Sequence, residues 1–393
     1  MNASPSNGNA RAIVSVRGAA RWHRGHPWIY RSDVRAEPDA PAGAVRVEEA
    51  NGRPLGMALW SPASQISLRM LTSEPRAIDA AFWRERVGRA AAHREAIAPD
   101  ADAYRVIHAE ADGLPSLIVD RYGDCLAVQL LSAGLEAFRA EIVEALIERL
   151  SPSGIVARND VPVRAYENLP REVETLHGAV PETIEVREGP VRYLVDLLEG
   201  QKTGAFLDQR ENRRLAETLA RGRALDCFSY HGSFALHLAT AAREVWAVDS
   251  SAPALARGQE NARLNGFDNV RSVEANAFDF LRAGDEAGDR WDVIVVDPPA
   301  FAKDKRSLDA ALRGYKELNL RAMRMLEPGG HLLTFSCSYH VDDARFVDML
   351  TAAAADAGRP MRMLRRLAQA PDHPAVLQIP ESSYLKGALL QAV

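Results

Sequence analysis

Cysteine is scarce in this chain: Cys125, Cys227 and Cys337 are the three thiols in 393 residues. So few, so widely spread, cannot form a disulfide framework, and no pair has the close spacing of a zinc site, so no metal is expected. Long apolar runs are missing as well. Nothing approaches the ~20 consecutive apolar residues of a membrane span, and the polar first ten residues lack the apolar core of a secretory signal. The expectation is a cytoplasmic protein with no membrane partner and a disordered start at residues 1–10. The chain also lacks a three-glycine dinucleotide turn, which argues against a nicotinamide oxidoreductase.

What is present fits a multi-domain enzyme. A hydrophobic content of 47% is ample for more than one core, and 393 residues predict two or three domains. The net charge of -5 argues against indiscriminate coating of nucleic acid, but the charge is uneven. Between residues 11 and 35 lie six arginines and one aspartate, with Trp22, Trp28 and Tyr30 interleaved. Arginines with aromatics between them can hold phosphates and stack on bases, which makes Arg21, Arg24 and Arg31 candidate RNA contacts. A solvated arginine face over core aromatics reads equally well from the pattern.

Pattern divides the rest into three segments. Short alternating stretches at residues 45–48, 57–60 and 65–71, separated by Gly, Pro and Asn turns, predict a small β-barrel over 11–73. Residues 76–188 read as an α+β middle domain, with a helix at 80–97, strands at 104–109, 116–119 and 125–131, and a helix at 136–150. Its Pro- and Glu-rich tail at 162–190 reads as loop and linker. From 189 to 393 strands and helices alternate, the mark of an α/β doubly wound sheet. Strands are expected at 223–229, 244–248, 270–274, 291–296 and 331–336, with two more closing the sheet near 362–367 and 384–390. The helices between them fall at 233–241, 252–265, 307–326 and 342–357.

In such a sheet, residues at the carboxyl ends of strands are candidates for chemistry. The first strand runs into Phe228-Ser229-Tyr230-His231-Gly232, a turn with one glycine and no tight pyrophosphate cradle. Asp249 ends the second strand, where a carboxylate can accept from ribose hydroxyls, and Asn276-Ala277 follows the third, placed for an adenine edge. An adenosine site without a phosphate cradle points to S-adenosylmethionine. Read as packing, Asp249 and Asn276 are helix caps. The fourth strand ends at Asp297-Pro298-Pro299, and a later one at Thr334-Phe335-Ser336-Cys337-Ser338. Cys125 and Cys227 lie within apolar strands and read as packing thiols.

These motifs and others resemble, over essentially the whole chain, the bacterial 23S ribosomal RNA cytosine-5 methyltransferases with an N-terminal PUA domain. The shared residues include His26-Pro27-Trp28, Asp112-Gly113-Leu114-Pro115, Lys202-Thr203-Gly204, Leu207-Asp208-Gln209-Arg210, Gly314-Tyr315-Lys316, Asp372-His373-Pro374 and Tyr384-Leu385-Lys386-Gly387. The resemblance implies a PUA-like barrel, a central domain and a class I methyltransferase fold with a seven-stranded Rossmann-like sheet. It also implies S-adenosylmethionine held by Phe228, Ser229, Tyr230, Gly232, Asp249, Asn276, Ala277 and Asp297, with Gln209 and Arg210 in a cofactor lid. Tyr315 and Lys316 are expected to line an RNA channel and His373 to be structural. The partner is ribosomal RNA, and a homodimer is one arrangement to expect. Three positions depart from the family pattern: Ser233 stands where a second glycine is usual, Asn276 where an aspartate is usual, and Ala300 where a lysine often follows the prolines.

The expected chemistry is covalent. Carbon 5 of cytosine is a poor nucleophile until a thiolate adds at carbon 6, so Cys337 is the candidate nucleophile and Asp297 the group that supports ring nitrogen 3. Two alternatives stay open: methylation of an exocyclic amine with Cys337 idle, and a non-catalytic RNA-binding assembly factor.

Overall fold

The computed structural model describes residues 6–98, 101–200, 203–302 and 306–393. Lys202 of the Lys-Thr-Gly motif lies outside them. The chain forms two compact units. One comprises the chain through Val186 with Val195–Leu207 and Pro371–Ser382; the other comprises Arg187–Leu194, Asp208–Ala370 and Ser383–Val393.

The first unit begins with a six-stranded sheet in the order Trp28–Ile29, Leu68–Thr72, Pro54–Trp60, Gly43–Glu49, Ser6–Val14 and Val34–Ala36. Disorder was expected through residue 10, yet a strand starts at Ser6, because its backbone pairs in parallel with Gly43–Glu49. Much of the basic stretch forms an unexpected helix, Val16–His23, capped by Ser15 Oγ accepting from Gly18 N at 3.1 Å. Alternation along the strands gives the sheet two apolar faces. Val45, Val47, Ala58 and Trp60 pack into the sheet's own core, whereas Ala44, Met57 and Leu59 join the core of the next segment with Trp83, Leu126 and Phe138. That shared core is why the expected barrel and middle domain form one unit.

The second sheet of this unit runs Val173–Gly178, Gly154–Arg158, Cys125–Leu130, Leu117–Tyr122 and Ala103–His108. Helix Ala80–Ile97 falls where the apolar pattern placed it, with Asp79 accepting from Phe82 N as its cap. The 162–190 stretch is not a linker. It holds a 3₁₀ turn at Pro162–Glu167 and strands Val173–Gly178 and Ile184–Glu188. Its prolines fall between the strands, so none interrupts a ladder. His373, buried here, packs on His108 with ring centroids 5.3 Å apart, and Asp372 accepts from Arg105 N at 2.9 Å. Burial, with Arg105 nearby, pushes the His108 imidazole down to about 2, so it stays neutral.

The second unit is built on a seven-stranded sheet, ordered Val270–Glu274, Glu244–Asp249, Arg223–Cys227, Trp291–Val296, Leu326–Ser336, Lys386–Ala392 and Met361–Leu367. The first five are parallel and Lys386–Ala392 runs antiparallel to both neighbours. Strand order reverses between Arg223–Cys227 and Trp291–Val296, where an open sheet forms its ligand crevice. Two helices escaped the pattern reading: Arg210–Leu219, rich in arginine, and Ala277–Ala287.

Candidate active site

The first strand delivers Asp226 into the sheet interior, 1% exposed, with Oδ2 accepting from Ala235 N at 2.9 Å. The carboxylate thereby holds the start of helix Ser233–Ala239. Burial pushes its carboxyl well above the usual range, and the negative charges of Asp297 and Asp249 act in the same direction. The three carboxyl groups are therefore close enough to influence one another.

That turn is conformationally demanding. Phe228 and Tyr230 both have positive φ, 64° and 51°, and Gly232 follows at 82°. Left-handed backbone is unfavourable for side-chain-bearing residues and persists where the surroundings hold it. Here Ser229 N donates to Val248 O at 3.1 Å, Tyr230 N to Asp249 Oδ2 at 2.9 Å, and Asn261 Nδ2 to His231 O at 3.1 Å. His231, within the turn, is a packing residue. Tyr193 stacks on it at 5.5 Å, and burial lowers its pKa to about 4. Ser229 Oγ is buried without a hydrogen-bond partner.

Asp249 is half-buried, and its Oδ1 also accepts from Ser251 N at 2.9 Å. Both oxygens keep a lone pair for hydroxyl donors. Asn276 caps helix Ala277–Ala287, its Oδ1 accepting from Phe278 N at 2.9 Å, while the residue itself is exposed. Two aromatics that the motif reading left out of the site, Phe278 and Phe301, stand in the same region as Phe228: Phe301 lies 6.4 Å from Phe228 and 5.8 Å from Phe278 between ring centroids. The three come from the turns after the fourth, first and third strands and supply apolar ring faces there. The signal was available, since Phe301 is the second residue after the prolines.

Gln209 and Arg210 are buried at the start of helix Arg210–Leu219, where Gln209 Oε1 accepts from Asn212 Nδ2 at 2.6 Å. Nearby, the buried Glu188 carboxylate takes two bonds from Arg213, at 2.7 and 2.6 Å.

Cys337 and Asp297 are brought together. Their strands are parallel neighbours, with Val296 opposite Thr334. Beyond the paired positions the Cys337 thiol reaches Pro298 O at 3.9 Å, beside Asp297, and the residue is part-exposed. Cys125 and Cys227 are buried, as their apolar strands predict, and burial drives the Cys227 thiol well above its ordinary range. Ser338 pins the loop: its Oγ accepts from Ala302 N at 3.1 Å and lies 2.9 Å from the Tyr315 hydroxyl.

That contact corrects one expectation. Tyr315 is fully buried, packed on Phe301 at 4.8 Å, so it supports the loop and does not line a channel. Lys316 points elsewhere, with Nζ 2.6 Å from Asp356 Oδ2. In the basic stretch, Arg21 lies over the Tyr30 ring at 4.7 Å. Arg31 pairs with Glu37 at 2.9 Å and bonds the carbonyl of Pro62, while Arg24 is exposed. The arginine face is thus partly structural.

Residues 149–390 match the S-adenosylmethionine-dependent methyltransferase family, and residues 13–73 match the PUA-like domain. The chain belongs to the S-adenosylmethionine-dependent methyltransferases. It is 42% identical over 374 residues to the ribosomal RNA large subunit methyltransferase I of Shewanella amazonensis, covering 93% of this chain and 94% of that one. With the enzyme of the same name from Vibrio cholerae it shares 41% identity over 388 residues, 96% and 98% of the two chains. The fold is also that of SMU.776 solved in complex with SAH, at a TM-score of 0.84 and 20% identity over 97% of this chain and 99% of that one.

The methyltransferase uses S-adenosylmethionine as its cofactor. The strand ends fit such a group on physical grounds. The carboxyl groups of Asp249 and Asp297 at the strand ends favour a cationic ligand, a buried Ser229 hydroxyl awaits a partner, and Phe228, Phe278 and Phe301 offer faces for a base. Among the described residues no cluster suited to a metal ion is found, and no helix is long and apolar enough to cross a membrane.

Proposed function

We propose that this methyltransferase modifies carbon 5 of a cytidine in large-subunit ribosomal RNA, 23S in bacteria, through a covalent adduct with Cys337, and that it works in the cytoplasm. The observation that carries the reading is the approach of the part-exposed Cys337 thiol to the Asp297-Pro298 turn, at 3.9 Å from Pro298 O. The names of the relatives, which act on large-subunit ribosomal RNA, support the substrate. Asp249 would hold the ribose hydroxyls, the Phe228–Gly232 turn and Ala277 would frame the nucleoside, and Gln209 and Arg210 would border it.

S-adenosylmethionine supplies an electrophilic methyl group on a sulfonium. The thiolate of Cys337 adds to carbon 6 of the ring, breaks its aromaticity and makes carbon 5 enamine-like and nucleophilic. Asp297 hydrogen-bonds or protonates ring nitrogen 3 as negative charge develops there. Pro298 and Pro299 stop the strand and leave a wall for a flipped base. After carbon 5 is methylated, removal of its proton expels the thiolate.

RNA containing 5-fluorocytidine tests this reading, because fluorine at carbon 5 blocks the last proton removal. The wild-type protein should form an adduct stable to denaturing electrophoresis, and Cys337→Ala should form none while keeping its fold and cofactor affinity. Methyl groups on an exocyclic nitrogen, or methylation by Cys337→Ala near the wild-type rate, would overturn it.

A further inference from the structure

Lys386 opens the antiparallel strand Lys386–Ala392 and sits opposite Ser336, the residue before the nucleophile. Its side chain is largely buried: the residue is 5% exposed. Nζ donates to Ser338 O at 2.8 Å and to Tyr384 O at 2.7 Å, so both acceptors are neutral carbonyls, one belonging to the residue after the nucleophile. Among the described residues no carboxylate lies within ion-pair distance of it. A buried ammonium held only by neutral acceptors is costly, and such groups are ordinarily paired.

We propose that Lys386 is a positioning residue for the reaction, its buried ammonium serving as the counter-charge of the Cys337 thiolate. The proposal rests on Cys337 being the nucleophile. The neighbouring charges agree with it. Burial lowers the pKa of Lys386, and the opposing influences are Cys337 first, then Asp343 and Asp342. Interaction between two charges is mutual, so an ammonium that gains from a thiolate lowers the pKa of that thiol.

Two other described groups near the nucleophile are not cations. Tyr315, from helix Leu308–Arg324, is a neutral phenol whose pKa burial raises. Asp297, at the end of the neighbouring strand, is acidic. Asp342 caps helix Asp343–Ala357 by accepting from Arg345 N at 2.8 Å, and Asp343 lies 3.8 Å from Arg366 of the edge strand. Lys386 is the cation that the antiparallel strand brings to the nucleophile loop. Its carbonyl bonds also fix where the loop stands, so one residue sets both charge and position.

The test is the pH dependence of iodoacetamide alkylation at Cys337, followed by mass spectrometry of its peptide. The buried Cys125 and Cys227 serve as internal controls. In the wild type the midpoint should lie below about 8.5, the ordinary cysteine value. Lys386→Met should raise it by about one pH unit or more, with the acid limb of kcat moving in parallel, and Lys386→Arg should move it less. A wild-type midpoint at or above that ordinary value, which needs no variant to fold, would overturn the proposal. So would an unchanged midpoint in folded Lys386→Met. Methylation surviving in Cys337→Ala, with the alkylation midpoint still responsive to Lys386, would instead overturn the nucleophile reading, so the two failures are distinguishable.

Discussion

Tyr230 N donates to Asp249 Oδ2 at 2.9 Å, so the carboxylate that ends one strand clamps the turn that follows its neighbour. Tyr230 has φ of 51°, a conformation the chain would leave without such an anchor. One carboxylate thus serves the fold of the turn and, in the proposed site, the ribose.

Asp249→Ala should therefore lose in two ways. Without a charged acceptor, S-adenosylmethionine affinity should fall by about 1.5 to 3 kcal/mol, the range for hydrogen bonds to charged groups. Release of Tyr230 N should lower the Tm as well. Asp249→Asn, which keeps one acceptor oxygen, should fall between wild type and alanine in both. Calorimetric titration and thermal unfolding separate the two losses. Unchanged affinity in a folded Asp249→Ala protein would remove the residue from the site.

The doubly wound sheet was legible because its parallel strands are buried on both faces and read as apolar runs, as in Trp291–Val296. The strand-end placement of Cys337 and Asp297 was legible because each follows an apolar run that reads as a buried strand. Lys386 and Ser338 were quoted only as parts of motifs. Their roles depend on the pairing of residues about fifty apart, which alternation within one segment cannot reveal. Tyr315 misled for the same reason. A tyrosine that follows the Asp-Pro-Pro loop reads as channel lining until the helix is rotated into place, and then its hydroxyl faces Ser338.

Tyr315→Phe removes one buried hydroxyl from the support of the nucleophile loop. The expected cost is about 1 kcal/mol of stability, because a lost intramolecular hydrogen bond is modest in net terms. RNA affinity should be unchanged, since the ring is 0% exposed. Denaturant unfolding and filter binding give the two numbers, and a large loss of RNA affinity at unchanged stability would return Tyr315 to the RNA surface.

The arginines expected to contact RNA should now separate. Arg24→Ala should reduce the salt slope of RNA binding by about one, the value for one phosphate contact, and leave cofactor affinity alone. Arg31→Ala should act mainly on stability, because its guanidinium is used by Glu37 and the Ser64 carbonyl at 2.9 and 3.4 Å. Equal slopes for both variants would show that phosphate contact does not follow exposure.

The last prediction concerns pH and the buried network around helix Ser233–Ala239. His237 Nδ1 lies 2.8 Å from Glu217 Oε2, and Nε2 lies 3.0 Å from Glu188 Oε1. Burial opposes a charged imidazole, but the neighbouring carboxylates of Glu188 and Glu217 outweigh it, and the pKa rises above its ordinary 6.5. A raised folded pKa means that the native state binds the proton more tightly, so this stabilisation is complete below pH 6.5 and is lost as pH rises through the folded value. Glu188 works in the opposite direction. Burial disfavours its charge, yet Arg213 and His237 hold its pKa well below the ordinary 4.5, so its contribution is lost only in acid. Unfolding free energies of wild type and His237→Gln, measured by denaturant from about pH 5.5 to about 8, should differ most at the acid end and converge as pH rises. A gap that widens with pH would mean that the imidazole is neutral in the native protein and serves only as a packed hydrogen-bonding ring.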